Sequence, residues 1–212
     1  MEQTRPEARR RPTAYRERTL AGMRRLWGSR PPAAFALDFG AGDGWFTGEM
    51  TRAGVARKIV PVDVKLWPEL VVRPVIFDGR ALPFASHAFD LVFAVDVIHH
   101  CPEPDRAIDE LLRCSSRYFL IKDHSYRNIV DWCALCVLDE IGNRRFGVPS
   151  PHKYQEGWSW NTHMESRGFT REGFLSPAPC HAGLLGRCTN HLQFIALWRR
   201  TDPAPANTPG CP

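Results

Sequence analysis

Along the chain, short apolar runs take turns with amphipathic stretches, the pattern of strands alternating with helices. Thr13 to Trp27 puts Tyr15, Leu20, Met23 and Leu26 or Trp27 toward one side and predicts a helix, stopped by Pro31-Pro32. Phe35-Ala36-Leu37 reads as a buried strand that meets an acid at Asp38, then glycines at Gly40, Gly42 and Gly44. A crossover helix over Trp45 to Ala53 and a second strand from Lys58 to Val62, closed by Asp63, follow. The third strand is Val75-Ile76-Phe77 with Asp78-Gly79 behind it. The fourth lies within Phe89 to His100, whose loop carries Asp96, His99 and His100. A helix at Pro104 to Cys114 leads to a fifth strand, Tyr118 to Lys122, which delivers Asp123 and His124 at its carboxyl end.

The later chain is less regular. Tyr126 to Ile141 predicts a helix with Ile129, Trp132, Cys133, Cys136, Val137 and Glu140 recurring every three or four residues, ended by Gly142-Asn143. A loop punctuated by Gly147, Pro149 and Pro151 comes next, then a helix at Trp158 to Arg167 and strands at Phe169 to Phe174 and His191 to Trp198. Residues 201–212 hold four prolines and no apolar period, and are expected to be a disordered tail.

Strand–helix alternation of this kind gives an open α/β sheet, whose ligands sit at the carboxyl ends of the strands. The glycine spacing narrows the ligand. A dinucleotide loop needs G-x-G-x-x-G, the third glycine letting helix and strand pack closely, and that position holds Trp45. Asp63, 19 residues beyond Gly44, stands where a carboxylate accepts from both ribose hydroxyls. Asp78 stands where a carboxylate accepts from an adenine amino group.

These stretches, D-F-G-A-G-D-G at 38–44, D-G-R-A-L-P-F at 78–84 and F-D-L-V to V-I-H-H at 89–100, resemble the motifs of class I S-adenosylmethionine-dependent methyltransferases. Gly79 stands where alanine is usual in that family, and Cys101 where leucine is common. The resemblance implies a Rossmann-like α/β fold with a seven-stranded, mostly parallel sheet in the order 3-2-1-4-5-7-6. It implies S-adenosylmethionine as cofactor, held by Asp38, Gly40, Ala41, Gly42, Gly44, Asp63, Val64, Asp78, Gly79, Val95 and Asp96. It covers residues 35–124 well and 158–198 loosely. The expected organisation is a basic arm and helix at 1–34, the methyltransferase domain at 35–200 with an acceptor-binding insertion at 125–157, and the tail.

Charge changes the picture at one end only. Residues 1–30 hold nine arginines against three glutamates, so the +5 of the whole chain resides in this segment. Such an arm could grip RNA through its phosphates, which keeps a nucleic-acid methyltransferase as an alternative. The 24 arginines to four lysines, with abundant alanine and proline, instead match a GC-rich coding sequence and a solvated helix. Seven scattered cysteines and the lack of an apolar leader in the first thirty residues point to a cytoplasmic protein with free thiols. No apolar run is long enough to span a bilayer, Leu91 to Ile98 being interrupted by Asp96. The C-x-x-C of Cys133 and Cys136 lacks a second pair, so zinc would need Cys101, Cys180, His181 or Cys188 from afar; buried apolar thiols are expected instead, and no metal site.

The implied chemistry is in-line displacement at a sulfonium methyl carbon, in which positioning supplies much of the rate. A hydroxyl or acidic-carbon acceptor also needs a base, and histidine titrates in the right range. His124, oriented by Asp123, is the first candidate; His100 is the second, with adjacent His99 and His100 expected to diverge. Tyr126, Trp132, Phe146, Tyr154, Trp158 and Trp160 suggest a flat or apolar small acceptor, such as a bacterial secondary metabolite, or packing of the insertion on the core. A monomer or homodimer is expected. A fold member that binds the cofactor without methyl transfer, as a cyclase or regulatory partner, is a further alternative.

Overall fold

The computed structural model describes residues 13–143 and 150–201. In chain order its elements are α1 (Ala14–Trp27), β1 (Ala33–Phe39), α2 (Trp45–Arg52), β2 (Ala56–Asp63), β3 (Val75–Ile76), β4 (Phe89–Val95) and α3 (Pro104–Cys114). Then come β5 (Ser115–Tyr126), α4 (Ile129–Asn143), β6 (Gln155–Glu156), α5 (Ser159–Ser166), β7 (Phe169–Leu175), α6 (Gly183–Thr189) and β8 (Gln193–Arg200). The sheet runs β3-β2-β1-β4-β5-β8-β7, with β6 paired to the end of β5. β1 to β5 are mutually parallel, and β8 is antiparallel to both β5 and β7. Leaving aside the short β6, this is the expected order, with the late hairpin closing the sheet.

Side-chain alternation along each strand builds two apolar layers. Leu37, Phe39, Val92, Ala94, Phe119 and Ile121 face α3 and α5, meeting Ile108, Leu111, Trp160 and Met164. Ala36, Leu91, Phe93, Leu120, Ile195 and Leu197 face the other way and meet Met23 and Trp27 of α1 and Met50 of α2. Each of the Val, Leu, Ile, Phe and Met side chains among them, fully buried, contributes about 1.5–3 kcal/mol. The first helix, assigned by sequence to a basic arm, is therefore part of the core. Thr13 caps it by accepting from the Arg16 amide. Arg16 pairs with Asp43 and Arg30 with Glu172, so two of the segment's arginines are engaged within the chain. The rest of the arm, residues 1–12, lies outside the described residues, as does the tail from 202 on.

Three expectations change. β5 runs twelve residues rather than five, because β8 pairs with it as far as His124↔Gln193 and β6 takes up Ser125 and Tyr126. Asp123 and His124 thus lie inside a strand and not in the loop after it. α4 begins at Ile129 and turns Trp132, Leu135 and Cys136 inward, toward Tyr154 and Leu192, while Ile129, Val130, Val137 and Ile141 are exposed. Cys133 is accordingly exposed and Cys136 only half-buried, not the pair of buried thiols expected. Trp160 is buried in the core, and Trp158 packs edge-on against Phe174 and Phe194, so neither stands in an acceptor wall; Phe146 is outside the described residues. α6 had no sequence signal beyond a seven-residue stretch too short to show a period.

Candidate functional site

The loop between β1 and α2 is shaped by its glycines. Gly40, Gly42 and Gly44 have φ of 69°, 61° and 77°, the left-handed region that costs a residue with a Cβ about 1–2 kcal/mol. A Cβ at Gly40 would lie 2.2 Å from Val97 Cγ2, and one at Gly44 2.4 Å from the Val72 carbonyl oxygen. Gly42 differs: nothing but Trp67 comes within 4 Å of its Cβ position. Its amide donates to Asp63 Oδ2 at 2.8 Å, and Asp63 also accepts from Trp67 Nε1 and the Lys65 amide. The amides of Val71 and Val72 donate to the Asp43 carbonyl, so the segment after β2 is laced to the glycine loop. Val64 and Gly79 approach one another at the carboxyl ends of β2 and β3, both exposed, with Asp78 exposed beside them and accepting from the Arg80 amide. This is a cradle with close backbone approach, a carboxylate and an exposed apolar shelf.

Behind the loop, Asp38 is 2 % exposed and accepts from Thr47 Oγ1 at 2.6 Å. Burial, with Asp63 and Asp43 adding to it against the Thr47 hydrogen bond, pushes its pKa up to about 7. The folded protein then keeps a proton that the unfolded chain releases near pH 4, so stability falls as pH rises between those values and levels off above 7. Asp38→Asn is expected to raise the melting temperature of the cofactor-free protein at mildly alkaline pH, the gain shrinking toward zero in acid. Thermal melts across that range check it; a gain that persists below pH ~4 would contradict the assignment.

The end of β4 meets a polar cluster. Asp96, at φ 51°, accepts from Tyr15 Oη of α1 at 2.6 Å and from Lys122 Nζ. Lys122 is fully buried and also donates to Tyr15 Oη and to Gln193 Oε1. α1 is thereby fastened across the carboxyl end of the sheet, beside the glycine loop that Arg16 reaches through Asp43.

A third group lies past the cluster. The 3-10 turn Ile98–His100 sets the rings of His99 and His100 4.1 Å apart, and both Nε2 atoms lie 3.6 Å from Asp139 Oδ1 of α4. The adjacent histidines converge on one carboxylate instead of diverging, because the tight turn stacks neighbouring side chains. His99 Nδ1 lies 2.5 Å from Asp123 Oδ1, while His124 Nδ1 is 3.4 Å from that oxygen. Asp123 therefore grips His99 more closely than the His124 it was expected to orient; it also accepts from the amides of Ile98 and His124. Burial alone would lower the His99 pKa, but Asp123 and Asp139 overcome it and push it up to about 10. Burial and Lys122 hold His124 below the ordinary value, leaving it neutral.

Residues 37–117 match the family described as a methyltransferase domain. Malonyl-(acyl-carrier protein) O-methyltransferase of Methylococcus capsulatus is 34% identical over 107 residues, covering 46% of this chain and 38% of that protein. An uncharacterized methyltransferase of Mycobacterium leprae is 34% identical over 106 residues, covering 45% of this chain and 39% of its own length. Over residues 37–117, this chain is similar to a methyltransferase domain. Among solved structures, an S-adenosylmethionine dependent methyltransferase from Mesorhizobium loti superposes with a TM-score of 0.63 at 14% identity, covering 85% of this chain and 96% of that one. The 4+2 cyclase SpnF superposes at 0.60 and 16%, covering 93% and 84%. At such identities the superpositions speak for the fold alone. The matches span well under half of the curated relatives' length.

Within the matched segment, the geometry brings Gly40, Ala41, Gly42, Gly44, Asp63, Val64, Asp78 and Gly79 along one rim, with Asp38 buried behind the loop and Val95 and Asp96 at the end of the neighbouring strand. Sequence reading assigned no site role to Tyr15, Lys122 or Asp139, and named His99 only as the diverging neighbour of His100. Lys122 had a signal, a lone cation closing the apolar run Tyr118 to Ile121; Asp139 had none, since only the path of α4 brings it to the histidines. Among the described residues no cysteine joins a group with metal-ligating separations, so the Cys101, Cys180, His181 and Cys188 set does not assemble. No described helix is long and apolar enough to cross a membrane.

Proposed function

We propose that the protein transfers a methyl group from S-adenosylmethionine to an oxygen, nitrogen or carbon of a small aromatic or apolar acceptor, of the kind made in bacterial secondary metabolism. The glycine loop carries the reading: three left-handed glycines over Asp63, with open space on the Gly42 side, suit a ligand that needs close backbone approach and a ribose carboxylate. When bound, the cofactor supplies a methyl carbon already activated by sulfonium charge.

In this reading Gly40, Ala41, Gly42 and Gly44 hold the methionine part, with Asp38 bracing their loop from below through Thr47. Asp63 exchanges its Gly42 and Trp67 contacts for the ribose hydroxyls. Val64, Asp78 and Gly79 receive adenine, and Val95 and Asp96 border the sulfonium. His124, neutral and only 13 % exposed, takes the acceptor proton; Asp123 fixes the backbone at His124 and Ile98, and His100 is the second candidate base. The nucleic-acid alternative draws less support, because Arg16 and Arg30 are spent on Asp43 and Glu172.

Calorimetry with S-adenosylhomocysteine tests the cofactor site. Asp63→Ala is expected to raise its dissociation constant at least about tenfold, or ~1.4 kcal/mol. An unchanged constant overturns the assignment, and a bound cofactor with no methylated product from any acceptor would favour the non-transferring alternative.

A further inference from the structure

We infer that His99, His100 and Asp139 form a binding site for one divalent transition-metal cation of the zinc type. The three donors come from the turn after β4 and from α4, and they lie within 4.8 Å of one another. Four ligands at about 2.0–2.1 Å around a tetrahedral ion stand about 3.4 Å apart, and each histidine Nε2 here stands 3.6 Å from Asp139 Oδ1. That separation is too long for a hydrogen bond and close to what a shared cation needs.

The surroundings are those of a ligand set held in place. His99 is 1 % exposed, and its Nε2 has no hydrogen-bond partner although it points at Asp139 Oδ1. Its Nδ1 lies against Asp123, the carboxylate–histidine arrangement that leaves Nε2 to face a metal. Asp139 is divided in the same way: Oδ2 accepts from Ser150 Oγ and from Tyr154 Oη at 3.1 Å, while Oδ1 is turned to the histidines. Two imidazoles and one carboxylate leave a fourth position for water or an oxygen of a bound molecule. His124 stands alongside, its ring centroid 4.9 Å from that of His99. The site does not depend on the methyl-transfer reading.

The test uses the full chain, stripped with a chelator and titrated with zinc against a chromophoric competitor, then loaded with cobalt for its visible spectrum. One cation per chain and the intense bands of four-coordinate cobalt are expected. Asp139→Asn should weaken zinc at least about tenfold, and Asp123→Asn by about 10–100-fold through His99. His100→Gln repeats the ligand test should Asp139→Asn fail to fold by circular dichroism. Cys133→Ser with Cys136→Ser should change nothing. The inference is overturned if the stripped protein takes up no stoichiometric zinc, if the ligand substitutions leave affinity intact, or if the paired serine variant abolishes binding. S-adenosylhomocysteine calorimetry on the same samples reports separately on the cofactor site.

Discussion

His124→Gln is expected to lower turnover by about 10²–10⁴-fold, the range for loss of a positioned base, with cofactor affinity unchanged. The residue sits on β5 past the point where β4 stops pairing, since β4 ends its register at Val95↔Lys122 and bends away at Asp96. β6 takes up the pairing at Ser125 and Tyr126, so His124 falls between the two pairings and is 13 % exposed. Its environment keeps the ring in the form a base requires: burial and the Lys122 ammonium both disfavour the imidazolium. Glutamine preserves size and one hydrogen-bonding atom but accepts no proton at neutral pH. Steady-state kinetics on a product-forming acceptor, with calorimetry alongside, separates the two effects; full turnover in the variant would remove His124 from the reaction.

What the sequence disclosed and what it hid divide along a physical line. The D-x-G-x-G-x-G loop was readable because each glycine answers a local demand, a positive φ or a backbone within 3 Å of where a Cβ would stand. Sheet order followed from the alternation of apolar runs and amphipathic stretches. The length of β5 was not readable, since Asp123-His124-Ser125-Tyr126 has no strand-like pattern and is held extended by β8 and β6. Nor was the meeting of His99 with Asp139, forty residues apart and on different elements. α4 misled because it is apolar on both sides, and the one with Ile129, Val130 and Val137 is left exposed while Trp132 and Leu135 pack inward. Hydrophobic period reports which residues resemble a core, and tertiary contact decides which are buried.

Lys122→Met is expected to destabilise the protein by up to about 3–5 kcal/mol, because removing the buried lysine leaves the partly exposed Asp96 carboxylate without its counter-charge. For a domain of this size that lowers the melting temperature on the order of 10 °C. The lysine is fully buried, and its ammonium has Asp96, Tyr15 and Gln193 as acceptors, with only the Asp96 carboxylate to offset the charge. Burial works against the Asp96 charge and the Lys122 ammonium is the chief influence holding its pKa low, so without the lysine that burial is no longer offset. It is also fixed at φ 51°, a conformation costing about 1–3 kcal/mol that the hydrogen bond its amide donates to the Lys122 carbonyl helps maintain. Asp96→Asn in the Lys122→Met background removes the stranded charge and should restore part of the loss, a coupling that a double-mutant cycle measures directly. Additive effects would mean that the pair is not the source. Because Tyr15 hangs from the same two side chains, the single variant should also loosen α1 from the sheet end, seen as faster amide exchange near Tyr15 than in Met23 to Trp27, where packing on Ile195 and Leu197 is untouched.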